Sequence, residues 1–66
     1  MTSVGAQFPV EQARVRELLI VYRQLGIPGA FGATMIEEVL RRADQAAMSG
    51  DLVAILSSFQ ELKDCQ

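Results

Sequence analysis

The groups in this chain that could carry chemistry are few and poorly matched to one another. There is no histidine, which removes the commonest general base, the imidazole ligands of ordinary zinc sites and the Ser-His or Cys-His pair. Cys65 is the only cysteine, so no disulfide forms within the chain, and a lone thiol fits a reducing compartment. Carboxylates do acid–base work only in a cleft that shifts their pKa values. Glu37 and Glu38 are adjacent and splay apart on a helix. Asp51 stands at a helix start, where it serves as a cap. Glu61 and Asp64 fall near a helix end. These residues predict a non-enzymatic protein with no cofactor, no metal and no catalytic residues.

Two further patterns invite a phosphate ligand. Gly26, Gly29 and Gly32 are spaced as Gly-x-x-Gly-x-x-Gly, but no strand precedes them and no Gly-Lys-Ser/Thr ending follows. A helix stop followed by a flexible turn explains them better. Arg14, Arg16, Arg23, Arg41 and Arg42 would form a basic patch if two helices presented them together. A net charge of −2 argues against a nucleic-acid partner. The third helix offers only Lys63 as a cation, with Ser57, Ser58 and Gln60 as its base-reading candidates, which is poor equipment for a helix–turn–helix reader.

The elements that position these residues read as three helices. Residues 1–8 read as a loose lead-in to a single domain over 9–66. Pro9 suits a first helical position and Glu11 a first turn, so the first helix is predicted from Pro9 to Leu25. Gly26 ends it, Ile27 packs back toward Tyr22, and Pro28 blocks continuation. Phe31, alone among glycines, is expected to plug a core edge, with an exposed anchor as the alternative. Thr34 to Glu37 fits a capping box, so the second helix is predicted from Thr34 to Ser49. Gly50 stops it, and Asp51 caps a third helix that reaches Lys63. The short Ser49–Asp51 turn makes the last two helices an antiparallel hairpin. No segment alternates with period two, so no strand is predicted.

At about 100° per residue, the second helix divides into an apolar side and a charged side. The apolar side holds Met35, Ile36, Val39, Leu40, Ala43, Ala46 and Ala47. Glu37–Arg41 and Glu38–Arg42 are i,i+4 pairs on the other side, each contributing about 0.2–0.5 kcal/mol. The third helix buries Leu52, Ile55, Phe59 and Leu62 and turns Ser57, Ser58 and Glu61 to water. On the first helix, Val15, Leu18, Tyr22 and Leu25 form the expected stripe, yet Ala13 and Ile20 fall on the reverse side. One small core cannot cover Leu18, Ile20 and Val21 together.

Half of the 66 residues are hydrophobic, and a chain this short shelters only about 60% of its unfolded surface. The surplus predicts a homodimer. The fold class is all-α: a three-helix domain, with the first helix packed across the hairpin of the other two. No apolar run approaches the ~20 residues of a membrane span, and the start of the chain lacks the pattern of a signal peptide, so the expected location is cytoplasmic with no membrane partner.

Two resemblances attach to particular segments. Gly50-Asp51-Leu52-Val53-Ala54-Ile55-Leu56, continuing to Lys63, resembles the second helix of a tetratricopeptide hairpin. No 34-residue repeat follows, so the likeness implies a helical hairpin and not a solenoid. Phe31-Gly32-Ala33-Thr34-Met35-Ile36-Glu37-Glu38-Val39-Leu40-Arg41-Arg42-Ala43-Asp44, with the Gly50-Asp51 helix, is similar to small uncharacterised accessory proteins of tailed phages and prophages. That resemblance implies a short protein that inhibits or redirects a host protein, or one that assists particle assembly.

The leading expectation is a protein–protein interaction module, bound to itself and to a second, unidentified protein. Ala13, Ile20, Val21 and Phe31 are the predicted contacts. The rival is a nucleic-acid-binding regulator that uses the five arginines.

Overall fold

A computed structural model describes residues 3–66. Three helices account for most of it: α1 (Val4–Gln24), α2 (Ala30–Ser49) and α3 (Leu52–Asp64), with a single 3-10 turn at Ile27–Gly29 between the first two. No strand occurs among the described residues.

α1 begins five residues before Pro9, so residues 4–8 are not a loose lead-in; Met1 and Thr2 of that segment lie outside the described residues. Ser3 is the cap, its Oγ accepting the Ala6 N–H at 3.2 Å. Pro9 therefore sits inside the helix, where it cannot donate to the Gly5 carbonyl, a defect of about 3 kcal/mol. Burial of Phe8 opposes it. Phe8 is in the core against Phe59, ring centroids 6.5 Å apart, and a fully buried aromatic contributes about 1.5–3 kcal/mol. The cap adds about 1 kcal/mol.

α1 stops where expected. The Gly26 N–H reaches the Arg23 carbonyl at 3.1 Å, and Gly26 takes a φ of 68° that a side chain would disfavour. Ile27 does not pack back on Tyr22; it is almost fully exposed, because the 3-10 turn carries the chain directly into α2. α2 accordingly starts at Ala30, one turn before Thr34. Thr34 is inside the helix, its hydroxyl donating to the Ala30 carbonyl at 3.1 Å, so no capping box forms. At the other end the reading holds. Gly50 is left-handed, and Asp51 Oδ1 accepts the N–H groups of Val53 and Ala54 at 3.0 and 3.4 Å.

α1 and α2 run antiparallel, tied by Arg16–Asp44 and Arg23–Glu37; α2 and α3 run antiparallel, tied by Arg42–Glu61. α1 packs on both. The core is centred on Val15, Ala43 and Leu62, one from each helix and each without exposed surface. Phe8, Leu19, Ala33, Ile36 and Leu40 extend it, and Leu18, Tyr22, Val39, Ile55 and Phe59 line its edge. Ser58 is buried, not turned to water, because it faces α2 where Ala46 leaves room for close approach. Leu52 is two-thirds exposed, because the stripe of α3 outruns the surface that α1 and α2 offer it.

Candidate functional site

Ion pairs surround the middle of the bundle. Arg14 pairs with Glu11 at 2.7 Å, Arg16 with Asp44 at 2.7 Å and Arg23 with Glu37 at 2.9 Å. Glu38 holds both Arg41 and Arg42, and Arg42 also reaches Glu61 at 2.6 Å. Glu37 thus turns across to α1 and does not pair with Arg41. The Arg41 hydrogen bond is the main cause holding the Glu38 carboxyl below its ordinary pKa. The same bond raises Arg41, while Glu61 is the main cause raising Arg42. Lys63, the remaining cation, stands 5.6 Å from the centre of the Phe59 ring. Each of the five arginines of the hypothetical basic patch is therefore matched within the fold.

Arg14 has a second structural task. Its guanidinium donates to the carbonyls of Leu62 and Cys65 at 2.7 and 3.0 Å at the end of α3, where the Leu62 carbonyl also accepts the Cys65 N–H at 3.2 Å. The Tyr22 hydroxyl donates to the Gln66 carbonyl at 2.7 Å. Of the three spaced glycines, Gly26 is explained by its positive φ and the other two by packing. A Cβ on Gly29 would overlap the Tyr22 carbonyl oxygen, and one on Gly32 would overlap the Tyr22 ring. Cys65 is partly buried, and that burial is the main cause pushing its thiol pKa up; the thiol stays protonated at neutral pH.

The four anticipated contact residues are all exposed. They do not form one surface. Ala13 and Ile20 are seven residues apart on α1, offset by only about 20°. Val21 lies about 100° further round. Ile20 borders an open groove of about 490 Å³ between α1 and α2, floored by Leu19 and Leu40 and rimmed by Arg16, Arg23, Glu37, Arg41 and Asp44. Phe31 is 79% exposed at the start of α2, so it does not plug the core. The 3-10 turn starts α2 early, and the first-turn side chain at that helical angle points away from α1.

A second groove, of about 380 Å³, was not anticipated. Tyr22, Gly32, Met35, Ile36 and Val39 line it, with Arg42, Glu61 and the Asp64–Gln66 segment at one end. It exists because α3 is short: 13 residues, about 20 Å, against the 20 residues, about 30 Å, of α2. Beyond Asp64 the α1–α2 hairpin has no third helix over it. Leu25, Ile27 and Met35 join Val21 and Phe31 around that end, all more than half exposed. One signal in the sequence marks it: no charged residue occurs from Gln24 to Ile36. At the opposite end Met48, Leu52, Val53 and Leu56 are exposed as well.

No family model matches the chain, and neither a curated protein nor a solved structure matches it. Fold and surface define a three-helix domain with paired charges about its middle and apolar side chains at both ends.

Proposed function

We propose that this protein is a small, non-enzymatic interaction module that works by occluding or bridging a protein surface. One observation carries the reading. Among the described residues, eleven large apolar side chains are exposed, while nine apolar residues form the buried core. Scattered exposed apolar residues need no explanation, but contiguous ones rimmed by charge fit a protein contact. The groove beside Ile20 supplies the charged rim: arginines border it, Ile20 is its one exposed large apolar residue, and Leu19 and Leu40 of the buried core floor it. Ala13 and Ile20 form the contact with a foreign protein in this reading. The resemblance of residues 31–44 to phage accessory proteins adds that the partner is a host protein, which the module inhibits or redirects.

Internal pairing of the arginines supports this reading over a nucleic-acid-binding regulator, since phosphate contacts would have to displace five carboxylate partners. Among the described residues no helix is long and apolar enough to cross a membrane.

Affinity capture from a host lysate tests the proposal, with the wild type compared with Ile20→Asp. A partner held by the wild type and lost from the variant is the expected result. Capture of nothing above the empty-resin control, or of the same proteins by both, overturns it. So does retention on DNA that falls steeply with salt.

A further inference from the structure

The uncovered end of the α1–α2 hairpin carries both halves of a contact. Phe31 is the projecting half. It is 79% exposed, and it stands one residue before Gly32 and one turn before Met35. The receiving half is the groove beside it, lined by Tyr22, Gly32, Met35 and Ile36 and vacant because α3 ends at Asp64. At Gly32 the Tyr22 ring stands where a Cβ would be, so ring and α2 backbone meet with no side chain between them and together wall that groove.

We infer that two copies of the chain pair through this end, about a two-fold axis that places each Phe31 in the other copy's groove. Deepening the interaction reading above, this assigns the self-association surface to residues 21–35 and leaves the Ile20 groove for a foreign protein.

Three observations select a second copy as the occupant. The first is self-complementarity. A two-fold contact requires one surface to hold both projection and recess, and this surface does. Area is the second. By their fractional exposures, Val21, Leu25, Ile27, Phe31 and Met35 present roughly 650 Å², most of the ~800 Å² per partner that a standard interface buries. Charge is the third. The chain carries −2, so two copies repel weakly wherever charges meet, and Gln24 to Ile36 is free of charge. The ion pairs that border this surface, Arg23–Glu37 and, at the far end of the groove, Arg42–Glu61, are each closed upon themselves, and Asp64 at that same end accepts a hydrogen bond from Gln60. An anionic membrane would find no unpaired cation here to draw it in, since Arg23 and Arg42 both hold carboxylate partners.

Sedimentation equilibrium across micromolar to millimolar protein tests the pairing. The expected result is a wild-type dimer whose dissociation constant rises roughly 30-fold or more in Phe31→Asp and in Met35→Asp, the size of an interface hot spot. Helicity by circular dichroism should be unchanged in both variants, since both side chains are more than half exposed. Leu56→Asp, at the other end, should dimerise as the wild type does. A monomeric wild type throughout overturns the inference, as does a dimer broken by Leu56→Asp and unaffected by Phe31→Asp. A monomer that binds neutral phosphatidylcholine vesicles through Phe31 overturns it in favour of a lipid surface. The two proposals fail separately: a monomer that still captures a host protein through Ile20 removes only the dimer, and a Phe31-dependent dimer that captures nothing removes only the foreign partner.

Discussion

Arg14, midway along the first helix, donates to the Leu62 carbonyl near the end of the third, 48 residues away, at 2.7 Å. A second guanidinium nitrogen reaches the Cys65 carbonyl. One side chain thereby closes the end of α3 and fixes it beside α1. Charge-assisted hydrogen bonds contribute about 1.5–3 kcal/mol when buried, and the partial exposure of Arg14 reduces that. Arg14→Gln is expected to lose about 1 kcal/mol, read as a lower denaturation midpoint in urea with the slope unchanged. Arg41→Gln, whose partners Glu38 and Gln45 both lie on its own helix, is expected to lose less than half as much.

Gly32 and Gly5 should respond to alanine with opposite signs. Both are helical, and alanine is favoured over glycine there by up to about 1 kcal/mol. At Gly5 a new Cβ meets only the Ser3 hydroxyl, at the ordinary distance of 3.8 Å, so Gly5→Ala is expected to stabilise. At Gly32 the Cβ would overlap the Tyr22 ring, which its hydroxyl bond to Gln66 holds in place. Overpacking of that kind costs about 1–3 kcal/mol, more than the helix gains, so Gly32→Ala is expected to destabilise. Thermal melts of the two variants check the signs.

Leu62 has no exposed surface and lies at the centre of the core with Val15 and Ala43. Leu62→Ala is expected to cost about 2–5 kcal/mol. A domain of this length has a total stability of about 3–10 kcal/mol. The variant should therefore show a substantial unfolded fraction at 37 °C by circular dichroism. Leu52→Ala, at a two-thirds exposed position on the same helix, should leave the melt within about 0.5 kcal/mol of wild type.

Acid should weaken the charged belt through Glu38. Its carboxyl is held below the ordinary value, chiefly by the Arg41 hydrogen bond. A depressed folded-state pKa stabilises above the unfolded pKa and loses that contribution as pH falls through the folded one. The melting temperature should therefore drop as pH is lowered through and below the usual carboxylate range. In Glu38→Gln the drop should be shallower, because the substituted amide does not titrate. A series of melts from pH 7 to pH 3 on the two proteins measures the difference.

The signals that were legible in the sequence are those contained within one turn of chain. Gly26 and Gly50 stop helices because their positive φ follows from the residue itself, and Asp51 caps because its acceptor lies two and three residues from the donors it serves. The apolar side of the second helix was legible in part for the same reason: helical period alone puts Ile36, Leu40 and Ala43 together, and they are buried, whereas Met35 and Ala47, assigned to the same side, are exposed. Misreadings arose where a local signal competed with a distant one. Pro9 looks like a first residue until Phe8 finds Phe59, and Thr34 looks like a cap until the 3-10 turn starts α2 a turn earlier.

The residues by themselves determined three helices, their stops and a surplus of apolar side chains, since period and capping depend on neighbours in sequence. Tertiary structure alone decided which of those side chains stay uncovered. Exposure is set by the length of the helix lying opposite, and α3 ends too soon to cover the groove between Tyr22 and Met35. It also decided that every arginine is paired, because the partners of Arg16, Arg23 and Arg42 arrive from other helices.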